Sequence, residues 1–392
     1  MTDTTIITAK PEPENPETRK KLAKQYERVH NILFLIDIVF TLMVLLVFIF
    51  TGGNGGYSNQ LAGLIRSWSN NYWLQVSIYI TITTTIYFLF LTPFSFYGGY
   101  LLEHKYQLSN ESFWMWIKDR FKSYILNVIF MLLLGLVLYV FLVYAKHSWW
   151  LWVGSMWFLF GIILSNIFPV IIIPLFYKLK PLENEDLKNK LIFLAEKVKA
   201  KISGVYEIIL STKTKKANAA LTGLGNTKRI ILGDTLLDNF SNEEIEVVLA
   251  HELGHFYYKH IWKLIFFGAF ITFAGLYLIS LIFNDVVMNL GYNGIADIAG
   301  FPVFLLCMFL FSIFTSPLNS TYSRYLENQA DLFALKQTNL PKDFITAMTK
   351  LADQNLADDQ PNPIIEFLLH DHPSISRRIK LAERFMNTHK AS

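Results

Sequence analysis

The chain reads as a mainly α, polytopic membrane protein with a small α+β domain at the membrane surface. Of its 392 residues, 53% are hydrophobic and only 17% are charged, a balance far more apolar than a soluble chain of this length carries. Six stretches, 32–50, 73–93, 124–145, 149–173, 261–283 and 300–316, approach or exceed the roughly 20 apolar residues a helix needs to cross a bilayer. Between the fourth and fifth, about 85 residues of mixed polarity are left to fold outside the hydrocarbon.

The elements follow in order. Residues 1–16, with four threonines ahead of Pro11, Pro13 and Pro16, read as a disordered start to a polar tail over 1–30. The first apolar run is longer than a signal-peptide core and follows this tail, so it reads as an uncleaved anchor. Spans one to four occupy 31–173, a first surface segment 174–260, spans five and six 261–317, and a second surface segment 318–392. Glycines 52, 53, 55 and 56 make a turn after the first span, with no Lys-Ser/Thr behind them to build a phosphate cradle. Trp149, Trp150 and Trp152 crowd one mouth of the fourth span, as interfacial aromatics do. The sixth stretch is the shortest.

Basic residues set the orientation. Arg19, Lys20, Lys21, Lys24 and Arg28 precede the first span, Lys105, Lys118, Arg120 and Lys122 lie between the second and third, and many more fall in 178–260 and 318–390. The opposite loops hold Arg66 and Lys146, with no basic residue over 284–299. Positive-inside reasoning then places both termini and both surface segments in the cytoplasm, and the net charge of +4 is ordinary topogenic charge. A single cysteine, Cys307, excludes an internal disulfide and a thiolate metal site.

Within the first surface segment, 187–199 reads as an amphipathic helix. Residues 206–210 and 229–232 read as two strands meeting through a turn near 223–226. Residues Asn218 to Gly223 would lie beside an exposed edge that could hold an extended peptide by its backbone, or form no more than a hairpin. The segment ends in His251-Glu252-Leu253-Gly254-His255. Ser241 and Glu244 are a capping-box pair and Ile245, Val248 and Leu249 an apolar stripe, so the H-E-x-x-H pattern falls on a helix. Residues four apart project from one face, and the two imidazoles can close on one ion with Glu252 beside it. Two neutral imidazoles leave room for a third ligand and a water, as in catalytic zinc sites, where the metal brings the pKa of bound water to about 7.

The third ligand is sought among acids after the sixth span. Glu327 and Asp331 lie four apart in Tyr325-Leu326-Glu327-Asn328-Gln329-Ala330-Asp331, so one could bind the metal while the other accepts the N–H of a ligating histidine. His370 and His372 are rivals on a less regular stretch, and Glu327 could instead pair with Arg324. Spacing favours Glu327.

The residues resemble the CAAX prenyl protease 1 family of membrane zinc metallopeptidases from about Thr92 to Arg384. The resemblance is carried by Pro93-Phe94-Ser95-Phe96-Tyr97, Glu103-His104-Lys105, Pro174-Leu175-Phe176 and Lys180-Pro181-Leu182. Asn218-Ala219 with Gly223, the run from Arg229 to Leu237, H-E-L-G-H, E-N-Q-A-D and His372-Pro373 extend it. It implies a barrel of about six tilted membrane helices around a chamber. It also implies one zinc ion held by His251, His255 and Glu327, with Glu252 as general base and Asp331 supporting a ligand. By the same resemblance, His372 would stabilise the oxyanion, Arg378 would approach the substrate or that histidine, and Asn218, Ala219 and Gly223 would line the peptide. The heat-shock membrane proteases are a more distant resemblance.

This sequence departs from the family in two respects. Eukaryotic members have seven spans, which leaves a helix near 52–72 missing here. The last residues, Thr388 to Ser392, are no endoplasmic-reticulum retrieval signal. A bacterial inner membrane is therefore expected. Bacteria generally lack protein prenylation, so the substrate could be another membrane-associated or lipidated peptide.

The expected activity is zinc-dependent cleavage near the C-terminus of prenylated CAAX-type or related peptides, with broad membrane-protein quality control as the alternative. Its partners would be a peptide or protein substrate and membrane lipid, with no nucleic acid. A non-catalytic zinc scaffold has no use for Glu252. Transport is the reading suggested by Asp37, Asn127 and Asn166 within the spans.

Overall fold

A computed structural model describes residues 16–223 and 228–390. The expected disordered start at 1–16 thus lies almost wholly outside the described residues, as do most of the turn at 223–226 and the last two residues. The long helices are α1 (Pro16–Phe50), α3 (Tyr72–Phe96), α5 (Phe113–Tyr144), α6 (Trp149–Ile167), α11 (His260–Asn289) and α12 (Phe301–Thr338). Shorter ones are α2 (Gly56–Trp68), α4 (Glu103–Lys105), α7 (Ile173–Phe176), α8 (Glu185–Lys197), α9 (Asp234–Leu237), α10 (Asn242–Tyr257), α13 (Pro341–Asn355), α14 (Pro363–Leu369) and α15 (Ile375–Lys390). Wide π-helical turns continue α3 over Tyr97–Leu102 and α6 over Phe168–Ile172.

Among the described residues, six helices are long and apolar enough to cross a membrane. They form a closed ring: α1 packs on α3, α3 on α5, α5 on α6, α6 on α11, α11 on α12, and α12 back on α1. Helices satisfy their own backbone groups, so such a ring can stand in hydrocarbon. Between α1, α3, α5 and α12 lies a partly open cavity of about 650 Å³ lined mainly by apolar side chains, among them Phe40, Tyr87, Phe90, Met131 and Phe309.

The region 52–72 is not empty. It holds α2, whose 13 residues span about 20 Å, too little to cross roughly 30 Å of hydrocarbon. Instead α2 closes one end of the ring, with Ser58, Ala62 and Ile65 buried. Ser58 Oγ donates to Ala299 O at 2.7 Å, Tyr72 Oη donates to Ala296 O at 2.8 Å, and Arg66 pairs with the buried Asp297.

Two expected boundaries move. Half of the predicted polar tail is helix, because α1 starts at Pro16 and its polar half has partners: Ala23 and Tyr26 are buried with Leu102, Leu108 and Leu356, and Arg19 Nε bonds Asp353 Oδ1 at 3.1 Å. The helix of the sixth span does not stop near 316. Pro317 sits inside α12, which runs unbroken into the surface segment.

The sheet also differs from the expected pair of strands joined through a turn. Strands β1 (Leu179–Pro181), β2 (Val205–Ile208), β3 (Ala219–Thr222) and β4 (Arg229–Gly233) take the order β1-β2-β4-β3. β2 and β4 pair in parallel, which needs a crossover rather than a tight turn, and β3 pairs antiparallel with β4 on its far side. The core beneath joins Leu187, Leu191 and Leu194 of α8 to Ile245, Val248 and Leu249 of α10 and to Phe333 and Phe344.

The contact that positions the site is between α10 and α12. A Cβ at Gly254 would lie 2.9 Å from Ala330 Cα, so only glycine admits this approach. Gly254→Ala is expected to destabilise the metal-free protein by about 1–3 kcal/mol through overpacking. Gly268→Ala, where a Cβ would meet nothing within 4 Å, should be neutral or stabilising by about 0.5–1 kcal/mol. Thermal unfolding of both variants in detergent checks this, and equal effects would remove the close approach as a constraint.

Candidate active site

Helix α10 starts where its sequence signals place it. Ser241 Oγ accepts from Glu244 N at 3.2 Å and Glu244 Oε2 accepts from Ser241 N at 2.8 Å, a reciprocal capping box. Two turns on, His251 and His255 project from one face, toward the turn of α12 that carries Glu327 and Asp331. Both acids are buried, with Glu327 5% and Asp331 0% exposed.

His251 Nε2 lies 3.1 Å from His255 Nε2 and 3.2 Å from Glu327 Oε2, and His255 Nε2 lies 3.3 Å from Glu327 Oε1. Ligand atoms about 2.0–2.1 Å from a tetrahedral zinc ion are about 3.3–3.4 Å from one another, so this triangle already has nearly the right edge. Glu327 Oε2 is buried with no hydrogen-bond partner, a costly arrangement that a cation would relieve. Burial alone would discharge His251, but the bond to Asp331 and the Glu327 carboxylate beside Nε2 outweigh it and raise its pKa to about 9. A divalent cation would then be bound with release of that proton. The donor set fits a metal, and the fit rests on local geometry.

The surrounding groups hold these donors in place. Asp331 Oδ1 is 2.8 Å from His251 Nδ1, as suits a carboxylate accepting the ring N–H. Arg378, on α15, grips Asp331 through two bonds, Nε to Oδ2 at 2.9 Å and Nη2 to Oδ1 at 2.5 Å. Its Nη2 also lies 3.2 Å from His251 Nδ1, so its guanidinium meets the site at Asp331 and His251. His372 Nε2 stands 3.5 Å from Glu327 Oε1, and its Nδ1 is 2.8 Å from Asp371 Oδ1. That bond to Asp371 raises the His372 pKa above its ordinary value.

Neither His370 nor Arg324 reaches Glu327. His370 turns to Glu27 of α1 at 3.4 Å. Arg324 does not pair with Glu327. Its Nη1 donates to Glu366 O at 2.8 Å and also to His370 O, which caps the end of α14.

Glu252 faces the sheet. Leu221 N donates to Glu252 Oε2 at 3.4 Å, so the outer edge of β3 looks onto this carboxylate. Alternate residues of a strand turn their backbone groups the same way, so Ala219 and Leu221 face outward. Asn218 O is occupied by Gly233 N at 2.9 Å, and Gly223 ends the strand with φ of 90°. Of the three expected peptide-lining residues, Ala219 thus has its backbone on the free edge, Asn218 has its carbonyl turned to β4, and Gly223 shapes the exit.

Leu221 lies within the expected segment 218–223, whereas Asp371, His260 and Gln329 stand beside the candidate site and were passed over by sequence reasoning. Asp371 sits next to His372, already singled out. His260 is five residues after His255, out of helical step with it, and carries no signal.

Known proteins bear on this geometry. Residues 181–385 match the model of peptidase family M48, and residues 9–178 match the model described as CAAX prenyl protease N-terminal, five membrane helices. Over that stretch the described residues hold four long helices, α1, α3, α5 and α6, and the short α2, α4 and α7. The chain is 30% identical over 373 residues to the uncharacterized metalloprotease YhfN of Bacillus subtilis, covering 93% of this chain and 86% of that one. It is 30% identical over 315 residues to CAAX prenyl protease 1 of Saccharomyces cerevisiae, covering 73% of this chain and 67% of that one. The crystal structure of S. mikatae Ste24p superposes with a TM-score of 0.82 at 26% identity, covering 95% of this chain and 90% of that one. The chain belongs to peptidase family M48 and is an integral membrane metalloprotease of the CAAX prenyl protease and Ste24 group.

Proposed function

We propose that this protein is a zinc endopeptidase of a bacterial cell membrane, with its catalytic segments on the cytoplasmic side, cutting near the C-terminus of prenylated CAAX-type or related membrane-associated peptides. The observation that carries the reading is the convergence of His251, His255 and Glu327 at 3.1–3.3 Å, beside Glu252 and a free strand edge. Orientation rests on the basic residues of the surface segments. The apolar cavity within the ring gives a lipid-modified substrate a place for its chain.

When bound, zinc supplies Lewis acidity and brings the pKa of a coordinated water to about 7. The chain's own residues do the rest. An extended peptide adds to the outer edge of β3, held by the N–H and C=O groups of Ala219 and the C=O of Leu221, and its side chains go largely unread. Glu252 takes the proton of the attacking water and delivers it to the leaving amine. His372, steadied by Asp371, donates to the carbonyl oxygen as negative charge develops there. Asp331, clamped by Arg378, holds His251 in the tautomer that leaves Nε2 free.

Backbone recognition at β3 is also what membrane-protein quality control would use. Incubation with a farnesylated CAAX-type peptide, its unmodified counterpart and an unmodified membrane protein, followed by mass spectrometry of the cuts, separates the two. A single C-terminal cut that depends on the farnesyl chain supports the first reading, and equal cutting of the unmodified substrates supports the second.

Glu252→Ala should lower peptide hydrolysis by about 10²–10⁴-fold with zinc stoichiometry unchanged, and retained turnover would take Glu252 out of the proton-transfer role. His372→Ala should lower kcat by about 10²–10³-fold with little change in KM, which steady-state kinetics reads directly. Removing the metal with a chelator should abolish cleavage, and added zinc should restore it.

A further inference from the structure

The second imidazole of the motif has a support of its own. His255 turns Nε2 toward His251 Nε2 and Glu327 Oε1, at 3.1 and 3.3 Å. Its other nitrogen, Nδ1, is 3.0 Å from His260 Nδ1, and His260 Nε2 is 3.0 Å from Gln329 Oε1. His260 is completely buried, its ring stacked on Tyr258 at 5.6 Å and set edge-on to His255 at 5.0 Å.

The local backbone explains how His260 gets there. α10 ends at Tyr257, and Lys259 takes the left-handed conformation at φ 56° before α11 begins at His260. This break turns the chain, so the first residue of the next helix points back at the last ligand of the previous one. Gln329 comes from α12, two residues after Glu327. The helix that offers the third ligand therefore also braces the second.

The direction of the protons follows from the ends of this line. To ligate, His255 Nε2 must be bare, so its proton is on Nδ1 and is donated to His260 Nδ1. The single proton of a neutral His260 is then on Nε2 and is donated to Gln329 Oε1, an acceptor. Reversing the Gln329 amide would reverse every bond and leave a proton on His255 Nε2, where it would block the metal. We propose that His260 and Gln329 are positioning residues that set the tautomer and ring orientation of His255, as Asp331 and Arg378 do for His251. The two ligating histidines would thus be held by different means, an ion pair behind one and a neutral histidine–amide line behind the other. Three carboxylates, those of Glu252, Glu327 and Asp331, already surround the site, and an amide adds no further charge.

The inference rests on the reading of His251, His255 and Glu327 as zinc ligands, and its test keeps the two apart. Zinc affinity of the full-length chain in detergent is measured by competition with a chromophoric chelator, and the geometry at the site is read from the visible spectrum of the cobalt(II)-substituted protein. Gln329→Leu and His260→Phe should each weaken zinc binding by about 10–100-fold and shift the cobalt bands, while Gln329→Glu, which keeps the acceptor, should stay within about threefold of the parent. The double variant should bind no more weakly than His260→Phe alone, since both residues act through one line. If His260→Phe fails to fold, the two Gln329 variants decide. A Gln329→Leu protein whose metal-free thermal transition matches the parent and whose zinc affinity and cobalt spectrum are unchanged overturns the proposal while leaving the ligand set intact. A parent chain that retains no zinc overturns both.

Discussion

The approach of α10 to α12 at Gly254 and Ala330 is the constraint from which the rest of the site follows. Helices are stiff over two or three turns, so one contact sets the spacing of every side chain on the facing surfaces. A Cβ at Gly254 would stand 2.9 Å from the Ala330 backbone, so the two helices meet there in close backbone contact. That closeness lets short side chains, two histidines and a glutamate, meet with edges of 3.1–3.3 Å.

Charge is the second theme. Isolated buried carboxylates are costly, and here each has a partner. Asp331 has Arg378 and His251, and Glu327 has the histidine nitrogens, with one oxygen left without a hydrogen bond. Arg378 belongs to α15, the last helix, so the end of the chain is tied to the centre through one buried ion pair. Breaking such a pair from one side leaves a buried charge alone. The packing of α15 is thus linked to the tautomer of His251, although none of its side chains joins the candidate ligand set.

The membrane part and the site are not separate bodies joined by linkers. α12 runs unbroken from the closed end of the ring, where Arg66 meets Asp297, to the turn that carries Glu327 and Asp331, and α11 begins at His260 beside the metal donors. Two walls of the ring are therefore continuous with two walls of the site. The candidate donors therefore sit on and beside helices that also build the ring.

What the sequence determined by itself was local. Six apolar runs, the capping box at Ser241, the i, i+4 histidines and the i, i+4 acids each report a period or a cap within a few residues, and such patterns survive in one dimension. Tertiary structure decided the rest. It turned His370 to Glu27, Arg324 to the end of α14 and Arg378 to Asp331, ran a third strand along the far side of β4, filled 52–72 with a helix too short to span, and brought His260 behind His255 across a left-handed turn. Those outcomes depend on which turn of one helix faces which turn of another. That choice is made by burial and close packing between residues far apart in the chain, and no local pattern records it.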